Sequence, residues 1–312
     1  MELIRHRISE HKLLAILVAT AAAVLVGFFV FNQTSAHNDP GGCADTGVGI
    51  SLAVFRADGI TNMGGGSVTP GELIKYRTTL SALGGTNCNF DGGTLTITTP
   101  DGTTNVTPGG GIPLVSVGTP FVSAFVDYTV DSSDVGGDAD IDASTSYTGG
   151  TAHTAGHDTV SGGATKATPF VKLDPTVVTE IHNIPDHVSG VTSVSAGTTV
   201  DDEATVSGSG PTPTGTVDFT FYTSGNCTTG GSAAGTGIAL VSGVAHPSTS
   251  QGPLNAGSYS FKAHYNGNDD YNSADSACEP LTVTKLDSNI VTEIHNASEA
   301  VVTSVPAGST VH

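Results

Sequence analysis

A chain of 312 residues is too long for one β-sandwich of about 100 residues and suits two with a tail. Its 41 glycines and 15 prolines together fall short of the roughly 25–30% that marks low-complexity disorder, so folded domains are expected. The formal charge is −19, and Arg5, Arg7 and Lys12 account for three of the ten basic residues, which leaves no cationic surface for nucleic acid or anionic lipid.

Those three cations precede Leu13–Phe31, an apolar run of nineteen residues without a charge. A basic segment before an apolar run is an export signal, and residues 1–36 are read as a signal peptide or signal anchor. Thr34-Ser35-Ala36 offers small residues for cleavage, whereas the length of the run suits a retained membrane-spanning helix. Either way the rest of the chain lies outside, and the membrane is met only through this segment. Cys43 stands too far beyond the run for a lipoprotein.

A first β-sandwich is expected over about 43–170. Ile74, Tyr76, Thr78, Leu80 and Ala82 alternate with Lys75, Arg77, Thr79 and Ser81, the period of a half-buried strand. The phrase VTPGELIKYRTTL that contains them resembles the VTPG-x-x-x-x-Y strand entry of repeats in bacterial surface proteins. Further strands are predicted at Gly93–Thr99, with Leu95 and Ile97 inward, and at Phe121–Val130, with Val122, Ala124, Val126, Tyr128 and Val130 inward. In the strand predicted at Asp138–Tyr147, Ala139, Ile141, Ala143, Thr145 and Tyr147 face the core. Asp138, Asp140 and Asp142 face out.

Two groups in this half are metal candidates. Asp138, Asp140 and Asp142 form a D-x-D-x-D run that suits calcium, but an EF-hand needs glycine sixth and glutamate twelfth, where Ala143 and Gly149 stand. A charged face that keeps the strand from pairing with a neighbour is the preferred reading, since strand alternation accounts for every residue in the run. His153 and His157, with Asp158, offer imidazoles and a carboxylate, yet Gly149, Gly150, Gly156, Gly162 and Gly163 make this stretch a loop of solvated histidines. No resident cofactor is expected, calcium being the one ion in question. No G-x-S-x-G elbow, P-loop or dinucleotide fingerprint occurs, so the chain is not read as an enzyme.

Thr168–Asp174 reads as a linker. After it, Val177-Val178-Thr179-Glu180-Ile181-His182-Asn183 recurs 113 residues later as Ile290-Val291-Thr292-Glu293-Ile294-His295-Asn296. Val191–Val200 likewise recurs as Val302–Val311, after a two-residue deletion. A fixed period of this size means an array of like domains: one at about 175–286, then the start of a further, incomplete copy over 288–312. That last segment is too short for its own core, so it is expected to be either a piece of a longer array or a spare strand seeking a partner.

In the complete copy, Val217, Phe219 and Phe221 share one strand face. Tyr259, Phe261, Ala263 and Tyr265 alternate with Ser260, Lys262 and His264, and Leu281 and Val283 resume the alternation after the turn Asn266–Asp270. The four cysteines divide two and two between the domains, and pairing inside each domain gives Cys43 with Cys88 and Cys227 with Cys278. Tyr259, after Asn255-Ala256-Gly257-Ser258, is placed to bond back to the upstream backbone as a tyrosine corner.

PTGTVDFTFY and LNAGSYSFKAHYNGNDDYNSADSACEPLTV closely resemble the bacterial Ig-like repeats of large secreted and cell-surface proteins, over about residues 175–286. The resemblance implies an all-β chain of tandem Ig-like antiparallel β-sandwiches behind an N-terminal export or anchor helix. It implies a spacer that displays modules, with neighbouring repeats, other surface proteins or glycans as partners. The alternatives it leaves are an adhesin or carbohydrate-binding protein, using the Asn266–Tyr271 or Gly149–Gly163 loop, and the non-catalytic part of a longer secreted enzyme.

Overall fold

The computed structural model describes residues 47–83, 88–153, 159–186 and 190–312. The predicted export segment, Cys43 and His157 lie outside them. The fold is all-β, and a single 3-10 turn, Ser132–Asp134, is the one helical element among the described residues. Contacts divide the chain into two compact units. One is Met1–Thr176 with Ser207–Thr214 and Gly267–Ala274; the other is Val177–Val206, Gly215–Asn266 and Asp275–His312.

The first unit carries β1 (Gly47–Arg56), β2 (Leu73–Leu83), β3 (Asn89–Thr99), β4 (Gly102–Asn105), β5 (Val115–Ser116), β6 (Phe121–Val122), β7 (Val126–Thr129), β8 (Asp140–Ala152) and β9 (Thr159–Pro169). One sheet runs β1-β2 with β6 and β7 both on β2, and the other runs β4-β3-β8-β9 with β5 on β3. Both sheets contribute to one core, β2 through Ile74, Tyr76 and Leu80 and the second sheet through Leu95, Ile97, Ile141 and Tyr147. Burial along β2 alternates strictly as its sequence predicts, because a strand's side chains point to opposite faces in turn. Buried Thr78 on β2 donates to Thr145 on β8 at 2.9 Å, and Thr145 donates to the Thr96 carbonyl at 2.8 Å, so these two hydroxyls are satisfied within the core.

Two expectations fail locally, each for a visible reason. Phe121–Val130 is two strands: Val126, Tyr128 and Val130 are buried, but Val122 and Ala124 are exposed and Ser123 is buried. β6 pairs Val122 with Thr79 and β7 pairs Val126 with Tyr76, so four steps of one chain face three of the other. One extra residue flips the faces. Ala139 is also exposed, at a φ of 64° in the turn before β8, where the Gly136 amide donates to the Asp140 carbonyl.

The second unit carries β10 (Thr176–Ile184), β11 (Ser193–Ser195), β12 (Thr199–Ser207), β13 (Thr216–Tyr222), β14 (Gly231–Ala233), β15 (Ile238–Ala239), β16 (Val244–Ala245), β17 (Gly257–Tyr265), β18 (Ala274–Asp275) and β19 (Glu279–Thr284). One sheet is β10-β12-β16. The other is β11-β19-β17-β13-β14, with β15 on β13 and β18 on β17, and β11 lies parallel to β19. Val217, Phe219, Phe221, Phe261, Ala263, Tyr265, Leu281 and Val283 are all buried, as their alternation predicts. The Tyr259 hydroxyl donates to the Asn255 carbonyl at 3.0 Å, the expected tyrosine corner. Cys227 and Cys278 form a disulfide; Cys88 is also disulfide-bonded. Ser260, expected on a wet face, is buried because the loop carrying Cys227 folds over it: Ser260 Oγ donates to the Ser224 carbonyl at 2.6 Å and accepts from the Cys227 amide at 3.0 Å.

A buried serine recurs where pairing strands lose their ladder. Ser123 donates its amide to the Thr78 carbonyl at 2.9 Å, and its Oγ accepts the Thr78 amide at 3.0 Å. Ser248 stands in the same relation to Asp202, at 2.9 and 2.8 Å, and Ser276 to Ala263, at 2.8 and 2.9 Å. In each case the hydroxyl takes the place of a backbone carbonyl that the neighbouring strand no longer offers.

Candidate functional site

The sheet β10-β12-β16 has a core face and an outward face, and on the outward face charged and imidazole side chains converge. Along β12, Val200, Asp202, Ala204 and Val206 point to the core, so Asp201 and Glu203 share the opposite side. On β16, Ala245 is fully buried, which turns the next residue, His246, outward. The pairs Ala204–Ala245 and Thr205–Val244 extend in register to set Glu203 opposite His246. On β10, Ile181 is buried at 0% exposure against the core, and His182 projects the other way.

Donor atoms of His182, Glu203 and His246 lie within 4.8 Å of one another. The two imidazole rings have centroids 4.9 Å apart. Asp201 Oδ1 lies 3.8 Å from His246 Nε2, with the aspartate side chain 3% exposed and the histidine 30%. His182 and Asp201 are buried, and neither His182 Nε2 nor Asp201 Oδ1 has a hydrogen-bond partner. Two imidazole nitrogens with one carboxylate, and a second carboxylate beside His246, form a donor set suited to a borderline divalent metal.

On the core face of the same strand Asp202 is wholly buried. Burial first, then the nearby Glu279 carboxylate, push its carboxyl up to about 8, so it carries a proton at neutral pH. Glu279 itself accepts the Ile181 amide at 3.1 Å.

The residues singled out from sequence lie elsewhere. Asp138 is exposed in the turn before β8, Asp140 opens that strand, and Asp142 is exposed on it. His153 Nε2 lies 2.9 Å from Asp91 Oδ2, with both side chains 41% exposed. Among the described residues, the one group that brings three His, Cys, Asp or Glu donors together contains none of these. Sequence reasoning missed it because its members come from three strands. Two signals were present: His182 sits in the repeated V-T-E-I-H-N phrase, and Asp201-Asp202-Glu203 places two carboxylates on one face of a strand.

No helix among the described residues is long and apolar enough to cross a membrane. No family model matches the chain, and no curated protein matches it.

Proposed function

We propose that this is an exported, non-catalytic structural protein whose Ig-like sandwiches act as spacers at the cell surface. The observation that carries the reading is the strand order common to the two units. Ig-like domains set strands A, B and E in one sheet and C, F and G in the other, with C′ added beside C. In the first unit β1, β2 and β6/β7 take the places of A, B and E, and the order β4-β3-β8-β9 is C′-C-F-G. In the second, β10-β12-β16 is A-B-E and β19-β17-β13-β14 is G-F-C-C′. The serine that closes the B–E pair recurs too, Ser123 on Thr78 and Ser248 on Asp202.

The Cys227–Cys278 disulfide supports an oxidising, extracellular compartment. A net charge of −19 gives a surface that resists non-specific association, as a displayed spacer requires. The test is fractionation of bacterial cells that produce the full chain with a C-terminal epitope. The epitope is expected outside the membrane, digested when protease is added to intact cells, with cysteines that react with a thiol reagent only after reduction. Retention in the cytoplasm with four reactive thiols would refute the reading.

A further inference from the structure

We propose that His182, Glu203 and His246, with Asp201 beside them, form a binding site for a zinc-class divalent metal on the outward face of β10-β12-β16. His182 and Glu203 sit on strands of one sheet and His246 directly follows a third, so the backbone holds them in place before any metal arrives. Glu203 and His246 face each other across the β12–β16 ladder, and Asp201 and Glu203 are two residues apart on one face. Around zinc, bonds of roughly 2.0–2.2 Å put tetrahedral ligand atoms about 3.3 Å apart. The donor atoms already lie within 4.8 Å of one another, close to that spacing.

The unpartnered atoms point the same way. A buried imidazole nitrogen or carboxylate oxygen without a hydrogen bond is costly, and His182 Nε2 and Asp201 Oδ1 are both in that condition at the edge of the cluster. A metal ion held by His182, Glu203 and His246 gives the imidazole a partner, and its charge lies beside the Asp201 carboxylate, 3.8 Å from His246 Nε2. The imidazoles select the class, since nitrogen ligands suit zinc, cobalt, nickel and copper, whereas calcium and magnesium take oxygen ligands. The incomplete copy repeats the arrangement in part: His295, the counterpart of His182, pairs through its backbone with His312, the counterpart of Asp201, and their rings lie 6.0 Å apart. In that copy a second ligand-type residue therefore stands beside the histidine. A metal here would fasten β10, β12 and the two-residue β16 at one point, a staple for the smaller sheet.

The test uses the full chain, purified without a histidine tag, stripped with chelator and titrated with zinc alone by calorimetry. Saturable binding of one equivalent is expected, with a rise in thermal midpoint that chelator reverses. His246→Ala and Glu203→Gln alter exposed or half-buried side chains and leave the fold intact. Each should weaken binding more than about tenfold, since even groups that only orient metal ligands are worth roughly 10–100-fold. His264→Ala, at an exposed histidine paired with Asp275, should leave affinity unchanged. Cobalt(II) gives a second readout: visible bands of a nitrogen- and oxygen-ligated tetrahedral ion are expected in the wild type and lost in His246→Ala. Absence of saturable zinc binding, or binding that His246→Ala and Glu203→Gln leave intact, would overturn the assignment.

Discussion

Replacing Ser123 or Ser248 by alanine tests whether single hydroxyls hold the seam where β2 meets β6 and β7, and the one where β12 meets β16. Thr78 and Asp202 are both 0% exposed, so their amides have no route to water once the serine oxygen is gone. The hydrogen bonds removed are 3.0 and 2.8 Å long. An orphaned buried donor costs about 1–3 kcal/mol, and Ser123→Ala also removes the hydroxyl's own bond to the Ala124 carbonyl. A loss of about 2 kcal/mol is expected from each substitution, equivalent to a fall of about 6 °C in the midpoint of a unit this size. Urea denaturation followed by circular dichroism measures it, with Ser146→Ala as the control. Ser146 is exposed on β8, and its removal should stay within about 0.5 kcal/mol. If Ser123→Ala and Ser248→Ala also stay within that margin, the hydroxyls are not replacing ladder bonds and the reasoning is wrong.

Reducing Cys227–Cys278, which lie 51 residues apart, should lower the stability of the second unit by about 4 kcal/mol from loop entropy, read as a fall in urea midpoint on adding reductant. Arg77 lies 4.7 Å over the Phe55 ring and 4.6 Å over the Phe125 ring, so Arg77→Ala should cost about 1–2 kcal/mol in the same assay, and Arg77→Lys less. Asp275 has its carboxyl held below the usual range, first by a hydrogen bond from Lys262 and then by one from His264. A depressed acid contributes stability above its unfolded value and loses it as pH falls through the folded one, so Asp275→Asn should cost less than about 1 kcal/mol at pH 7 and nothing at pH 2. Gly208→Ala should destabilise the first unit, because a Cβ there runs into the ring of buried Tyr271; a melting curve identical to the wild type would show that the ring gives way.

The strands were legible wherever alternation alone decides which side chains are buried. β2 and β13 each bury the residues their pattern names, as β17 does from Phe261 to Tyr265, because a period of two fixes the face once one residue is placed. What alternation does not carry is an insertion between two pairing segments. Alternation from Phe121 to Val130 is continuous in sequence and points Val122 and Ala124 inward, while in space one extra residue between β6 and β7 reverses it. Ser260 shows a different limit: its strand face was read correctly, but a loop fastened by the disulfide covers that face, and no local pattern reports what a distant loop covers.

The metal-ligand cluster was illegible for the same geometric reason that makes it rigid. A helix or tight loop announces its ligands by close spacing, as the EF-hand does; a site on a sheet collects them across strands, so His182, Glu203 and His246 stand 21 and 43 residues apart. The signal that survives is the two-residue period of β12, which sends Asp201 and Glu203 to one face and Asp202 to the other. That division lets one strand serve two purposes. Its core face holds Asp202 protonated beside Glu279 within the packed interior, and its outward face keeps two carboxylates beside two imidazoles. Because β16 contributes only two residues to the ladder, a bond from His246 to a shared metal would add most where backbone pairing adds least.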